Sequence, residues 1–353
     1  MRVLFDGYWW ASGPISNRTV MREFISSWHD TFPEDELHVL VPWRADITTD
    51  TSPGLIFHRT RLPLQALING LALPAVAKRI SADLTVAHNF SPAFGKSAVF
   101  IHDLMFVDHP EWFTVPENAY FRLMTLGARR ATHLYTSSAA ESQRITRVTG
   151  HPSVTPIGLG MSRDLIEADS RRPARLNVRE QAFQLVVGRL NVRKNLSKTI
   201  EALVSKGIIS KNNPMVVVGE TSGREAADNI AVTEAIRNGS VLLMGSVASD
   251  ELRWLYENCS CFIFMSLDEG FGLPCLESRV FRAPAAVSDI PPFREILGDD
   301  AEYADPESEL AIADAVAQAG SRGRRGNGID HSLTEQYSWE SCVRGIRRAF
   351  VGV

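Results

Sequence analysis

Short apolar stretches that predict buried strands alternate along this chain with amphipathic stretches of helical spacing. In the first half the strand-like stretches are MRVLFDG, ELHVLVP, LIFHRTR, LTVAHN, SAVFIHD, HLYTSS and SVTPIGLG. From Phe183 they continue as FQLVVGRL, PMVVVGE, VLLMG and CFIFMS. Helical spacing predicts helices near 17–28, 64–80, 118–130, 196–206, 224–237 and 250–258. This alternation predicts parallel strands joined by helical crossovers.

The alternation pauses near 158–169 and then restarts, which predicts a domain boundary there. A chain of 353 residues is long enough for two domains that each bury a core. We therefore expect two doubly wound, Rossmann-like α/β domains, 1–160 and 161–330, that face a central cleft, followed by an amphipathic segment at 331–353. The stretch GSRGRRGNG at 320–328 has no apolar residue and predicts a flexible linker.

Composition narrows the class of protein. Hydrophobic residues make up 44% of the chain, charged residues 22%, and the net charge of -4 gives no reason to expect a nucleic-acid partner. The longest apolar run, 62–77, is interrupted by Gln65, Asn69, Gly70 and Pro74, so no membrane-spanning helix is expected. The first residues resemble a strand more than a signal peptide, and we expect a cytoplasmic protein. The four cysteines lack the spacing of a metal site.

One stretch concentrates candidate chemistry. The sequence SLDEGFGLPCLESRVFRAPAAVSD at 266–289 follows the strand-like run CFIFM. Ligands of open α/β sheets bind at the carboxyl ends of strands. Gly270 and Gly272 permit close backbone approach, and the helix that begins at Leu273 directs free N–H groups toward an anion. Glu269 and Glu277 bracket this turn.

Charged groups also follow strands elsewhere. Arg189 and Lys194 come after the first strand of the second domain and before a helix, an arrangement that suits a diphosphate. His102 and Asp103 end an apolar strand of the first domain. Neither half has the G-x-G-x-x-G pattern after its first strand, which disfavours a nicotinamide enzyme.

The pattern E-G-F-G-L-P-x-x-E resembles the signature of the retaining nucleotide-sugar glycosyltransferases of family four, also called glycosyltransferase group 1, which have the GT-B fold. The stretch H-D-L-x-F-x-x-H-P-E-W-F is similar to that of bacterial mannosyl- and rhamnosyltransferases. The resemblance implies that the first domain binds the acceptor and the second the donor. It further implies that the terminal helix returns to the first domain, and that no metal ion and no cofactor besides the nucleotide-diphosphate sugar are used.

The resemblance also implies roles for individual residues. Glu277 would bind the ribose hydroxyls, and Glu269 would lie beside the transferred sugar as a catalytic group. Arg189 and Lys194 would take up the charge of the diphosphate, and His102 would contact the donor sugar or phosphate. The remaining donor-binding candidates are Gly270, Phe271, Gly272, Leu273 and Gly219.

The acceptor candidates are Asp103, Gly13 and Asn17, although Asn17 is equally suited to be a helix N-cap. Two positions depart from the family pattern. Only Gly13 plainly matches the glycine-rich loop expected near the amino terminus. Arg282 stands where such proteins often have a small residue, commonly glycine.

The resulting hypothesis is a retaining, metal-independent hexosyltransferase that moves a sugar from GDP-mannose or dTDP-rhamnose to a hydroxyl of a glycan or glycolipid in cell-surface polysaccharide synthesis. The alternatives are a GT-B sugar-nucleotide epimerase and an inactive carbohydrate-binding subunit. A lipid-linked acceptor leaves open a peripheral location at the inner face of the membrane. The sequence does not predict an oligomeric state.

Overall fold

The computed structural model describes residues 1–47, 54–188, 191–219 and 230–351. The chain divides into two compact units, the first formed by Met1–Gly160 with Tyr337–Val353 and the second by Met161–Gln336. Arg189, one of the predicted diphosphate ligands, lies outside the described residues. No helix among the described residues is long and apolar enough to cross a bilayer.

The first unit is built on a parallel sheet of seven strands in the order β3-β2-β1-β4-β5-β6-β7. Nearly every residue of its central strands is buried, as expected for a sheet covered on both faces. The strands are β1 (Arg2–Asp6), β2 (Glu36–Pro42), β3 (Ile56–Thr60), β4 (Leu84–His88), β5 (Ser97–Phe100), β6 (His133–Thr136) and β7 (Val154–Pro156).

Helices connect these strands. They are α1 (Ile15–Thr31), α2 (Gln65–Leu67), α3 (Leu73–Ile80), α4 (Met105–Asp108), α5 (Val115–Ala128) and α6 (Ala139–Thr149). A π-helical segment, Ile68–Ala72, joins α2 to α3, and a 3-10 turn, Pro110–Trp112, precedes α5. Thr114 and Glu117 form a capping box at the start of α5.

The polar residues that interrupt the apolar run at 62–77 bind a buried carboxylate. Asp6 ends β1 and is almost inaccessible to solvent. Gln65 Nε2 and Asn69 Nδ2 donate hydrogen bonds to Asp6 Oδ2 at 3.0 and 2.8 Å. Burial raises the pKa of Asp6, and these hydrogen bonds oppose that shift. The side-chain amides of Gln65 and Asn69 thus interrupt an apolar stretch because they supply hydrogen bonds to the buried Asp6 carboxyl group.

The second unit has a parallel sheet of six strands in the order β10-β9-β8-β11-β12-β13. Its strands are β8 (Gln184–Val187), β9 (Met215–Val218), β10 (Val241–Gly245), β11 (Cys261–Phe264), β12 (Ala285–Ser288) and β13 (Ala301–Ala304). Its helices are α7 (Arg163–Glu167), α8 (Leu196–Ser205), α9 (Ile230–Arg237), α10 (Ser249–Asn258), α11 (Leu273–Val280), α12 (Pro291–Leu297), α13 (Glu309–Arg322) and α14 (His331–Gln336). Both sheets therefore have the doubly wound order predicted from the alternation of elements.

The last helix, α15 (Trp339–Arg348), packs against α1 of the first unit. Trp339 covers Gly160, where a Cβ atom would lie 2.4 Å from the Trp339 backbone nitrogen. Arg347 Nε donates to Asp35 Oδ2 at 3.0 Å. The segment that joins the first unit begins at Tyr337 and not at residue 331, because α14 remains with the second unit through the buried side chain of Leu333.

The interpretation of 320–328 as a flexible linker is wrong. Its first residues complete the last turn of α13. Arg324 then donates to the carbonyls of Phe281 and Tyr256, at 2.5 and 2.7 Å, and Arg325 Nη1 lies 2.6 Å from Asp300 Oδ1. A stretch without apolar residues is thus fixed by its guanidinium groups, a possibility that hydrophobic patterning does not reveal.

Arg282 has a left-handed backbone with φ of 55°, a conformation that glycine adopts without steric cost. Its Nη2 lies 3.0 Å from Asp330 Oδ2, and Asp330 N donates to Val280 O at 2.9 Å. The side chain therefore gains an ion pair at a position where the backbone is strained.

Replacing Arg282 separates these two effects. Both Arg282→Ala and Arg282→Gly remove the ion pair, but only glycine relieves the left-handed strain, which costs about 1 kcal/mol for a residue with a Cβ. Urea unfolding of the two variants should show Arg282→Gly to be more stable by about that amount. Equal stability of the two variants would contradict the assigned backbone conformation.

Candidate active site

The carboxyl ends of β8 and β11 form the point in the second sheet where strand order reverses. Gly188 directly follows β8, with φ of 142°. Ser266, Asp268 and Glu269 follow β11 and are buried. The two loops that the sequence assigned to donor binding therefore begin at neighbouring strands of one sheet edge.

An ion pair joins these loops. Lys194 Nζ lies 2.5 Å from Glu269 Oε1, and the two side chains are only 13% and 10% exposed. The ammonium group also lies 4.1 Å from the centroid of the Phe264 ring, at the end of β11. Sequence reasoning placed Lys194 on the diphosphate and Glu269 on the sugar, and it did not predict that the two would contact each other.

Local structure presents Lys194 to this edge. A 3-10 turn at Val192–Lys194 follows Asn191, whose side chain accepts a hydrogen bond from Lys194 N at 3.2 Å. Asn195 then has a left-handed backbone and is the N-cap of α8. The lysine side chain lies against Gly188 and Phe264, at the carboxyl ends of β8 and β11.

The electrostatics favour an ionised Glu269. Burial raises the pKa of its carboxyl group, but the charges of Lys194 and Arg193 outweigh burial and lower that pKa. Burial in turn lowers the pKa of Lys194, and the carboxylate opposes this shift. Each charge compensates much of the desolvation of the other.

Gly272 is the N-cap of α11 and has φ of 105°. A Cβ atom there would lie 2.7 Å from Phe293 Cε1, so no other residue fits without a shift of the aromatic ring. Leu273 starts the helix and Pro274 occupies its first turn, while Gly270 and Phe271 lie buried just before it. Pro274 has no N–H and Cys275 N donates to Gly272 O at 2.9 Å, so the N–H of Leu273 is the donor of this first turn that faces an anion at the sheet edge.

Glu277 lies in the second turn of α11 and is partly buried. Tyr256 Oη donates a hydrogen bond to Glu277 Oε2 at 2.7 Å. Burial raises the pKa of Glu277, and the tyrosine hydrogen bond opposes this shift. Gly219, the candidate next to the base, directly follows β9 with φ of 146° and donates through N to Gly245 O at 2.9 Å.

In the first unit His102 lies just beyond β5 and stacks on His88, with ring centroids 5.6 Å apart. Within the described residues, His102 Nε2 and both ring nitrogens of His88 are buried and have no hydrogen-bond partner. Burial lowers the pKa of His102 to about 3 and that of His88 to about 4. Both imidazoles are therefore neutral at physiological pH, and each can donate one hydrogen bond and accept one.

The acceptor candidates have local structural roles. Asp103 Oδ1 accepts from Met105 N at 3.3 Å. Gly13 has φ of 110°, and a Cβ atom there would overlap the ring of Trp9. The suggestion that Asn17 is an N-cap is wrong, because α1 begins at Ile15 and Asn17 lies inside its first turn.

Two buried carboxylates of the first unit were missed by sequence reasoning. Asp6 ends β1 next to β4, and its only signal was an acid at the end of an apolar strand. Glu141 has an Oε1 that accepts from Leu104 N at 2.9 Å, which ties the chain after His102 and Asp103 to α6. The S-x-x-E pattern at Ser138 predicts a helix start but not that this acid is buried.

No group of three or more His, Cys, Asp or Glu side chains is placed to hold a metal ion in the part of the chain that the structure describes. The four cysteines are buried and unpaired.

The fold is that of known GT-B enzymes. Sucrose-phosphate synthase from Thermosynechococcus elongatus superposes with a TM-score of 0.70 at 15% identity, and the match covers 99% of this chain and 98% of that one. This likeness confirms the predicted fold class of two Rossmann-like α/β domains.

The sequence comparisons agree with the fold. The family model for glycosyl transferases group 1 matches residues 168–325, which include the candidate donor site. The chain is similar to the O-antigen chain mannosyltransferase RfbU of Salmonella typhimurium, with 26% identity over 234 residues, or 65% of this chain and 62% of that protein. It is also similar to O-antigen chain mannosyltransferase B of Escherichia coli, with 26% identity over 174 residues, or 48% of this chain and 46% of that protein.

The chain thus spans less than two thirds of the length of these relatives. It resembles GT-B glycosyltransferases and, among them, bacterial mannosyltransferases.

The Lys194–Glu269 pair predicts a pH-dependent loss of stability in Lys194→Met. At about pH 7 the variant retains a buried, unpaired carboxylate and should lose about 3 kcal/mol of unfolding free energy. Without the lysine the pKa of Glu269 rises, so protonation at about pH 5 should remove much of the deficit. In the wild type the lowered pKa of Glu269 gives the opposite trend, since its stabilisation is present above the unfolded pKa and is lost as pH falls through the folded one.

Urea unfolding at the two pH values measures this difference. The double variant Lys194→Met/Glu269→Gln is the control, because it removes both charges and should recover most of the stability at about pH 7. A deficit that is the same at both pH values would contradict the assigned ion pair.

Proposed function

We propose that this protein is a retaining glycosyltransferase that moves mannose from GDP-mannose to a hydroxyl of a glycan or lipid-linked glycan in surface-polysaccharide synthesis. The observation that carries the proposal is the Lys194–Glu269 pair beside the N-terminus of α11, at the reversal of strand order in the second sheet. The names of the two relatives favour mannose over rhamnose as the transferred sugar.

The donor's diphosphate would contact Lys194 and the N–H groups at 270–273. A cation and a helix N-terminus stabilise a dianion without a metal ion, because both are fixed before the ligand arrives. Arg189 would add a second cation, as the sequence motif implies. Glu277 would accept hydrogen bonds from the ribose hydroxyls, and the backbone at Gly219 would lie near the base.

In the proposed step the bond between the anomeric carbon and the diphosphate oxygen breaks, and the electron pair stays on the diphosphate. The acceptor oxygen forms its bond to the same face of the sugar, and its proton passes to the departing phosphate oxygen. Glu269 would stabilise the positive charge that develops at the anomeric carbon, and Lys194 would stabilise the charge that grows on the leaving group.

His102 would serve as a neutral partner for a sugar hydroxyl, because its lowered pKa keeps the imidazole uncharged. Asp103, Gly13 and Asn17 stay candidates for the acceptor side.

We also propose a cytoplasmic enzyme that associates peripherally with the inner face of the membrane. Leu123 and Leu126 support this location, because they are exposed three residues apart on α5 and Arg122 lies beside them.

The two carboxylates should differ when each is changed to glutamine. Glu277→Gln should weaken GDP binding by about 1–2 kcal/mol, because a charge-assisted hydrogen bond to the ribose is lost. Glu269→Gln should leave GDP affinity near the wild-type value but lower the transfer rate, because its contribution is made as charge develops. Calorimetry with GDP and single-turnover kinetics with GDP-mannose measure both. If the two variants exchange effects, the role assignment is reversed; if neither variant changes anything, the site assignment fails.

Release of GDP from GDP-mannose should require an acceptor glycan and should continue in excess EDTA. Acceptor dependence is the test of group transfer, since an epimerase needs no acceptor and an inactive subunit releases nothing. Loss of activity in EDTA that Mg²⁺ or Mn²⁺ restores would contradict the assignment of the diphosphate charge to side chains and the helix N-terminus.

A further inference from the structure

Tyr256 connects α10 to the proposed ribose carboxylate. It is fully buried, and its hydroxyl group lies 2.7 Å from Glu277 Oε2. A second acceptor, Pro274 O, is 3.5 Å away, at the limit of hydrogen bonding. The short contact to a carboxylate oxygen identifies Glu277 as the main partner of the phenol.

The phenol ring is held from several sides. It stacks on Phe281, with centroids 5.8 Å apart and an interplanar angle of 17°, and it packs against Phe262 at 5.7 Å. The Tyr256 carbonyl accepts a hydrogen bond from Arg324 Nη2 at 2.7 Å. A hydroxyl group on a ring fixed in this way has little freedom to follow the carboxylate, so the carboxylate must adapt to it.

We propose that Tyr256 is a positioning residue, which holds the Glu277 carboxylate in the orientation that accepts the ribose hydroxyls of the nucleotide. The inference rests on the proposed function. Because Tyr256 engages Oε2, Oε1 is the oxygen that faces the ribose. Tyr256 itself does not contact the nucleotide.

The hydrogen bond also favours the charged form of Glu277. Burial raises the pKa of this carboxyl group, and Tyr256 is the group that lowers it. The neighbouring Cys275 thiol is neutral, because burial raises its pKa well above the usual value. Removing the phenol hydroxyl should therefore raise the pKa of Glu277 further.

Other charged groups on the helices around Glu277 have their own partners or face solvent. His331 and Glu335 on α14 are exposed, and Glu295 on α12 is also exposed. Ion pairs on these elements join Arg253 to Glu257, Arg279 to Asp300, Arg294 to Asp289, and Arg171 to Asp250 and Glu251. None of them replaces the tyrosine as a donor to Glu277.

The test is calorimetry of Tyr256→Phe with GDP and with 2′-deoxy-GDP. The variant keeps the ring and its packing, and it should bind GDP about five- to tenfold more weakly, while its affinity for 2′-deoxy-GDP changes less. The ratio of the affinity for GDP to the affinity for 2′-deoxy-GDP should thus be smaller in the variant than in the wild type. The affinity for GDP should also begin to fall at a higher pH than in the wild type, because a protonated Glu277 accepts poorly.

Tyr303→Phe is the matched control. Tyr303 also lies in the second unit, and its hydroxyl donates to Gly298 O at 2.7 Å, away from Glu277. This variant also loses one phenol hydrogen bond, here to a backbone carbonyl, and should keep both the ribose preference and the pH profile of the wild type.

The Glu277→Gln background tests the positioning role of Tyr256 separately from the ribose-binding role of Glu277. If Tyr256 acts through Glu277, then Tyr256→Phe should cause little further loss of GDP affinity in that background. If Glu277→Gln removes the ribose preference and Tyr256→Phe keeps it, the positioning role is overturned while the ribose site stands. If Glu277→Gln itself keeps the preference, the proposed donor site fails.

A crystal structure of the wild-type protein with GDP tests the proposed contacts of Glu277 directly and does not require that any variant folds. It should show Glu277 Oε1 within hydrogen-bond distance of a ribose hydroxyl and Oε2 still bonded to Tyr256. A ribose that bonds to Tyr256 directly, or that lies away from Glu277, would overturn the proposal.

Discussion

The buried ion pair between Lys194 and Glu269 is the interaction on which the candidate donor site depends. Two charges that are almost inaccessible to solvent are stable only if each compensates the desolvation of the other. The parallel sheet makes this pairing possible, because the chain leaves β8 and β11 at the same edge. The Phe264 ring lies 4.1 Å from the ammonium group, and Gly272, three residues after Glu269, is the N-cap of α11. The loops thus have little freedom to rearrange without separating the charges.

The first unit also has a buried carboxylate where its strand order reverses, but this carboxylate is stabilised without a cation. Its strand order reverses between β1 and β4, and Asp6 stands buried at the end of β1. Neutral amides from Gln65 and Asn69 satisfy this carboxylate, and the nearby imidazoles of His88 and His102 are uncharged. One sheet edge therefore offers a cation and helix N–H groups, which suit a phosphate. The other offers neutral donors and acceptors, which suit hydroxyl groups.

The sequence predicted most of the fold because buried parallel strands are continuous apolar runs. ELHVLVP coincides with β2, and CFIFM contains β11. The short β13, with the sequence AEYA, carries too weak a pattern to be recognised. The sequence predicted which loops form the candidate donor site, but it did not predict which side chains in that site contact each other. Lys194 and Glu269 are 75 residues apart and Tyr256 and Glu277 are 21 apart, and no local spacing encodes either pair.

The ion pair has a consequence for the proposed chemistry. In the structure the positive charge of Lys194 lowers the pKa of Glu269, so the carboxylate is ionised although it is buried. In the proposed step the diphosphate would gain negative charge as it departs, so the ammonium group would be attracted toward the leaving oxygen and its interaction with Glu269 would weaken. At the same moment positive charge would develop at the anomeric carbon and would offer the carboxylate a second partner. One buried pair can therefore stabilise both poles of the separating charge, because the partner that each group loses is replaced by one that the reaction creates.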